Sequence, residues 1–446
     1  MKDKFHVIGS SWKTIFWSSF LNEVGGEKMA IDMQEPLETL PVEPLNPPHR
    51  LLMAPGPVNV DPRVLAAMSK PTVGQFDPYM FRVMREVQDM LRVAFKTRNR
   101  QTMVVDGTSR SAIEAAFVSV LAPGDPVLVC CAGRFGMLLK EIAERCDADV
   151  HVIERPWGQV FAVEEVVEAV KRVHPKLVAT VHGDTSTTML QPLEGLGDVC
   201  HENGALLYTD ATASLVGNDL RCDDWGIDIA TTGMQKCLGG PSGAAPITVS
   251  ERAVAVMEQR KSIEAGVADS PQEIAERRIR SNYFDLPQIF DYWGPRHLNH
   301  HTEATHMLYA VHEALRILTE EGVDQAIERH RLNGAAMSAG IVGMGLRLYG
   351  NQLTRMNDVI GVVIPDGVDD AAVRSELLRD FSVEIASSFG PLKGAIWRIG
   401  VMGCNARRDA VLTTIAALGT VLERHGVEVS VSRGVAAALS VYGNRS

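Results

Sequence analysis

Between Tyr79 and Asp210, short apolar runs alternate with amphipathic stretches, and this rhythm restricts the chain to a layered α/β architecture. Met80, Val83, Met84, Val87, Leu91 and Phe95 recur at helical spacing and predict a helix over 79–95. A short apolar strand is expected at 102–105, then a helix at 111–121. The alternation continues with strands at 126–131, 150–153, 177–182 and 205–210 and helices at 135–146, 163–173 and 196–203. The strands are apolar throughout, as expected for a mainly parallel sheet covered by helices on both faces. Ligands of such sheets bind at the carboxyl ends of the strands, where Thr108, His182 and Asp210 fall. A long helix at 303–321 ends at Gly322, a C-cap residue. Beyond it the pattern becomes a smaller α+β unit: helix 323–344, strand 357–364, helix 369–380, strand 396–401, helix 407–424. The expected organisation is an arm over 1–49, a large domain over 50–320 and a small C-terminal domain over 321–446.

Two residues point to the chemistry. Asp210 ends the apolar strand Leu206-Leu207-Tyr208-Thr209, and Lys236 follows it by 26 residues in a loop containing Gly233, Gly239, Gly240 and Gly243. Pyridoxal phosphate needs this combination, since its aldehyde takes an amine as a Schiff base and its pyridine nitrogen stays protonated beside a carboxylate. Its phosphate needs donors at a helix N-terminus, and Gly107-Thr108-Ser109 before the helix at 111 offers one. Each feature has a plainer reading alone: a surface lysine, an aspartate capping a helix or binding a metal, an ordinary N-cap. Arg398, inside the apolar run Trp397-Arg398-Ile399, requires an anion, either a substrate carboxylate or a buried protein carboxylate.

Composition narrows the classes. A net charge of −11 over 446 residues argues against a nucleic-acid binder. No apolar run approaches the ~20 residues of a membrane span. Seven scattered cysteines without a C-x-x-C pair suggest a reducing, cytoplasmic setting, with no disulfide framework and no metal site. Residues 33–49 contain five prolines and read as an extended arm; a start at Met29 is an alternative to Met1.

The chain resembles the class V aminotransferases, fold-type I pyridoxal phosphate enzymes, from about Leu51 to 424. The resemblance is carried by Ala54-Pro55-Gly56-Pro57, Asp106-Gly107-Thr108-Ser109, His182-Gly183-Asp184-Thr185-Ser186, Tyr208-Thr209-Asp210, Gly233-Met234-Gln235-Lys236, His300-His301-Thr302 and Arg398-Ile399-Gly400, in the family order. It implies Lys236 as the Schiff-base lysine and proton shuttle, and Asp210 as partner of the pyridinium nitrogen. Thr108, Ser109 and Gln235 are implied phosphate donors. Phe135 is implied to stack on the ring, Ser186 to approach its O3′ side and Thr212 to pack its other face. Arg398 is implied to hold the substrate carboxylate. His300 and Thr302 are implied to reach the phosphate of a neighbouring subunit, which makes the expected assembly a homodimer. Cys404 raises the desulfurase branch of the same fold as an alternative, but its short loop and the glutamine before Lys236 favour a structural role.

Gln75 and Asn299 bear on the substrate. Together they offer two carbonyl acceptors and two amide donors, which complement a ureido group. The resemblance then implies (S)-ureidoglycine as amino donor and glyoxylate as acceptor in a ping-pong exchange. The alternatives are alanine or serine as donor, a lyase or desulfurase on the same fold, or an inactive scaffold.

Overall fold

The structure is a computed structural model that describes residues 42–264, 266–267 and 277–443. Residues 1–41 of the expected arm, with both proposed start positions, lie outside the described residues; 42–48 has no regular structure and is exposed. The chain from His49 onward forms one compact unit.

Its elements are β1 (Leu51–Leu52), α1 (Pro62–Met68), α2 (Pro78–Phe95), β2 (Gln101–Asp106), α3 (Ser109–Val120), β3 (Pro126–Cys131), α4 (Arg134–Arg145), β4 (Asp149–Glu154), α5 (Val163–Val173), β5 (Leu177–Val181), β6 (Gly183–Asp184), β7 (Met189–Leu190), α6 (Leu196–Glu202) and β8 (Leu206–Asp210). There follow β9 (Ile229–Thr231), β10 (Ala244–Val249), α7 (Glu251–Glu258), α8 (Leu286–Trp293), α9 (Thr305–Glu321), α10 (Val323–Met344), β11 (Val359–Val363), α11 (Asp370–Phe381), β12 (Val383–Glu384), β13 (Ala386–Ser387), β14 (Ile396–Gly400), α12 (Arg408–Arg424) and α13 (Val431–Gly443).

Seven strands form the central sheet in the order β2-β10-β9-β8-β5-β3-β4. β10 runs antiparallel to both neighbours and the other pairs are parallel. Every residue of β5 and of β8 is buried, which is why these strands read as unbroken apolar runs. The helices show one apolar face: α5 buries Val166, Ala169 and Val170 and carries its charges outward. α2 starts where Asp77 accepts from the Tyr79 amide at 2.8 Å with proline at the first turn, and ends at Lys96 in the left-handed region (φ 50°).

The carboxyl ends of β2, β3, β5, β8 and β9 share one edge of the sheet. The turn from β9 back into β10 carries residues 232–243 to that edge. A second core gathers Trp397, Ile399, Ile360, Val362, Leu377, Ile415 and Met53 around the antiparallel sheet β11-β14-β13. Arg398 pairs in register with Gly361 on one side and Ala386 on the other.

Candidate active site

At the shared edge lies a cavity of about 340 Å³, within the size range of small-ligand sites. Gly56, Pro57, Thr108, Ser109, Arg134, Phe135, Thr185, Asp210, Thr212, Gln235 and Lys236 all line it. Residues 180 apart in sequence therefore meet because five strands end together.

Lys236 donates its ammonium to the Pro55 carbonyl. Gly56 is required here: its φ is +95°, and a Cβ would come within 2.5 Å of the lysine side chain. Burial and then the nearby Arg398 cation lower the Lys236 pKa from 10.5 to about 8. A sizeable neutral fraction near physiological pH makes this amine a nucleophile and a base. Asp210 is 3% exposed, and its Oδ1 accepts from the Thr212 amide at 2.9 Å. Burial raises its pKa, and the hydrogen bond from the Thr212 amide opposes that shift. A cationic partner in the cavity would favour the charged carboxylate further.

One wall of the cavity offers donors. Gly107 (φ +118°) turns the chain from β2 into α3, whose N-cap Thr108 makes no side-chain cap bond. The Ser111 amide bonds back to the Thr108 carbonyl at 2.8 Å, which leaves the Ser109 and Arg110 amides available to an anion. Gln235 Nε2 donates to the Ser109 hydroxyl at 2.7 Å, while Gln235 Oε1 is buried without a partner. An orphaned acceptor of this kind calls for a ligand donor or water.

Asp184 anchors the opposite wall. Its Oδ1 accepts from the Ser186 amide (2.8 Å) and hydroxyl (2.6 Å), and its Oδ2 accepts from the Phe135 amide at 3.1 Å. The Ser186 hydroxyl also accepts from the Arg134 amide at 3.0 Å. A buried acid at the start of α4 suits the helix dipole and fixes Phe135 at the cavity wall. Ser186 itself is bonded into this cap and does not line the cavity.

Arg398 is 6% exposed. It donates to the Ser387 carbonyl at 2.8 Å and the Thr185 carbonyl at 3.2 Å, and forms no ion pair among the described residues. The field of Asp184 favours its charge, but no protein carboxylate among the described residues pairs with it directly. Burial lowers its pKa to about 10.

The remaining candidates lie apart from this cavity in a single chain. Gln75 Nε2 donates to Asn299 Oδ1 at 2.9 Å, and Gln75 Oε1 accepts from the Glu303 amide at 3.3 Å. His300 and His301 share a hydrogen between their Nδ1 atoms at 2.7 Å, and His301 pairs with Asp106 at 3.2 Å. Glu303, whose carboxyl is pushed up to about 8 by burial and by Asp106, completes the cluster. These bonds tie segment 299–303 to the end of β2. Thr302 is exposed.

Two contributors escaped the sequence reading. Asp184 stands inside a quoted motif, and a buried acid beside small hydroxyl residues was its only local signal. Arg134 precedes Phe135 and has no local signal, because its ring partner Phe389 lies 255 positions away. The Cys404 thiol donates to the Asn59 carbonyl at 2.8 Å, and burial raises its pKa, so it remains a protonated thiol. All seven cysteines are free. No helix among the described residues is long and apolar enough to cross a membrane.

A lysine and an aspartate facing one cavity over a mainly parallel seven-stranded sheet, with an arginine on a smaller sheet behind, define the fold-type I transferases. The aminotransferase class-V family model matches residues 63–391, and the chain belongs to that pyridoxal phosphate-dependent family. The chain is 50% identical over 400 residues to the (S)-ureidoglycine–glyoxylate transaminase of Bacillus subtilis, covering 89% of this chain and 96% of the other. Alanine–glyoxylate aminotransferase of Felis catus is 34% identical over 388 residues, 86% of this chain and 90% of its own. The crystal structure of the Bacillus subtilis ureidoglycine-glyoxylate aminotransferase superposes with a TM-score of 0.85 at 49% identity, covering 90% of this chain and all of that one. The cysteine desulfurase of Thermococcus onnurineus, at 14% identity and a TM-score of 0.66 over 84% of this chain and 95% of that one, shares the fold alone.

Proposed function

We propose that this protein is a pyridoxal phosphate-dependent aminotransferase that moves the amino group of (S)-ureidoglycine to glyoxylate, giving oxalurate and glycine. The observation that carries the aminotransferase reading is the set Lys236, Asp210 and a carboxylate-free Arg398. The identity to a ureidoglycine–glyoxylate transaminase supports the choice of donor.

The residues fit the cofactor. Lys236 would hold its aldehyde carbon and Asp210 its ring nitrogen. The α3 amides, the Ser109 hydroxyl and the second hydrogen of Gln235 Nε2 would hold its phosphate. Phe135 and Thr212 line the cavity and would cover the two faces of the ring. When bound, pyridoxal phosphate supplies an aldehyde that exchanges amines and a ring that accepts the charge left at Cα. Arg398 binds the substrate carboxylate and so orients the Cα–H bond. Lys236, once free, would take the Cα proton at Nζ and hold it for return. Asp210 keeps the ring nitrogen protonated. The low pKa of Lys236 suits both directions of transfer.

In this reading residues 50–320 bind the cofactor and 321–446 carry Arg398. A second copy of the chain brings Gln75, Asn299, His300 and Thr302 to its partner's cavity, where the two amides read the ureido group. Free thiols suit a cytoplasmic setting. The test is a half-reaction screen: the loaded protein is mixed with ureidoglycine, alanine or serine, and cofactor absorbance is followed at once because ureidoglycine decays. Fastest amine transfer from ureidoglycine is expected. Faster transfer from alanine or serine would replace the donor, and no transfer from any amino acid would remove the aminotransferase reading.

A further inference from the structure

Arg134 lines the same cavity, yet its guanidinium makes no hydrogen bond or ion pair among the described residues. Its Cζ lies 4.1 Å from the Phe389 ring centroid and 5.3 Å from that of Phe135. The Arg398 Cζ lies 4.6 Å from the same Phe389 ring. Two guanidinium groups thus share one aromatic ring beside the cavity. Like charges so placed repel, and the ring quadrupole offsets only part of that. Asp184, whose field reaches Arg398, has its oxygens engaged by Ser186 and the Phe135 amide. A carboxylate held by Arg398 alone would leave the half-buried Arg134 with no partner but solvent. Both cations are satisfied by a small molecule with an acceptor at each end.

We propose that Arg134 is a second substrate-binding residue: Arg398 takes the carboxylate, and Arg134 donates to the carbamoyl carbonyl at the far end of the same molecule. The Phe389 and Phe135 rings hold the guanidinium plane in place, so little side-chain freedom is lost on binding. As a statement about the donor it rests on the ureidoglycine reading; as a statement about a two-ended site it does not.

The test measures dissociation constants on the cofactor-loaded protein by calorimetry for propionate, malonate and N-carbamoylglycine. The parent protein should bind N-carbamoylglycine more tightly than propionate. Arg134→Met keeps a side chain that packs on Phe389 and should weaken N-carbamoylglycine roughly 10- to 100-fold, the scale of one charge-assisted hydrogen bond, while propionate changes less than about twofold. Arg134→Gln, a shorter donor, should fall between. Unfolding temperatures of both variants control for damage to α4. Equal weakening of propionate and N-carbamoylglycine, or no weakening of either, would overturn the proposal. Weakening of malonate alone would overturn the carbamoyl assignment. If alanine proves the donor while Arg134→Met still removes the preference for N-carbamoylglycine, the two-ended site stands and only the donor reading falls.

Discussion

Replacing Arg398 with lysine tests the carboxylate site most directly, because it keeps the charge and changes only the geometry. The guanidinium has five N–H donors. One goes to the Ser387 carbonyl and one to the Thr185 carbonyl, which leaves three for a ligand, enough for a two-pronged grip on a carboxylate. A lysine has three donors; satisfying both carbonyls leaves it one. Losing one charge-assisted hydrogen bond at this buried position costs about 1.5–3 kcal/mol, or roughly 10- to 100-fold in kcat/KM. Arg398→Met should lose more, since it removes the charge and strands two buried carbonyls at ~1–3 kcal/mol each. Donor and acceptor both carry a carboxylate, so both half-reactions must suffer alike. Rapid-mixing absorbance of the bound cofactor measures each half-reaction separately. A lysine variant within a few-fold of the parent, or one impaired with only one of the two substrates, would refute the assignment of Arg398 to the substrate carboxylate.

Asp210→Asn retains an acceptor for the Thr212 amide but loses the charge, and kcat should fall by roughly 10³–10⁴, the scale seen for other orienting acids, with the fold intact by circular dichroism; activity within a few-fold of the parent would show that Asp210 is not the ring's partner. The low Lys236 pKa predicts that acylation of the cofactor-free protein by a small electrophile, read by mass spectrometry, is suppressed below pH 8 where the amine is charged and saturates above it. A midpoint near the ordinary 10.5 would contradict the burial argument, and Arg398→Met should move the midpoint upward by removing a repelling cation. Asn299→Tyr breaks the Gln75–Asn299 bond and should cut activity with ureidoglycine by about 1–3 kcal/mol while sparing alanine; equal losses with both donors mean that the pair only supports the pocket.

What the sequence made legible was what periodicity encodes. The helix at 163–173 and the one at 323–344 match α5 and α10 to the residue: α5 has a one-sided apolar face, while α10 is bounded by Gly322 and the left-handed Gly345. β9 and β10 escaped because one has three residues and the other contains Pro246, so neither shows a strand period. α13 escaped because it packs on Gly340 and Gly343 of α10 through Gly434 and Ala437, and such small residues mark a contact face weakly. Lys236 and Asp210 were legible because their residue types are rare in such settings. The Phe389 ring between two arginines was not, since nothing local in residues 134, 389 and 398 announces that they meet.

The carboxylate receptor and the reactive amine sit on different sheets, and transfer requires their separation to be fixed within fractions of an ångström. Asp358 joins them. Fully buried at the start of β11, it accepts from the Cys237 thiol at 3.1 Å through one oxygen and from Asn218 Nδ2 at 2.6 Å through the other. Its carbonyl accepts from the Val401 amide at 2.7 Å, just past Arg398 on β14. Cys237 is the residue after Lys236, and Asn218 lies in the segment that leaves Asp210. One residue thus ties together the lysine loop and the aspartate loop through its side chain and the arginine strand through its carbonyl. Burial pushes its carboxyl up to about 6, and that cost is borne because every arm of the knot ends at a group that must stay in register with the others. The field works in the same direction: Asp358 and Asp210 both favour the protonated lysine, Arg398 opposes them, and burial tips the sum toward the neutral amine. Geometry and proton affinity at Lys236 are therefore set by the same few buried charges, which is how a chain of net charge −11 keeps a cavity suited to anions.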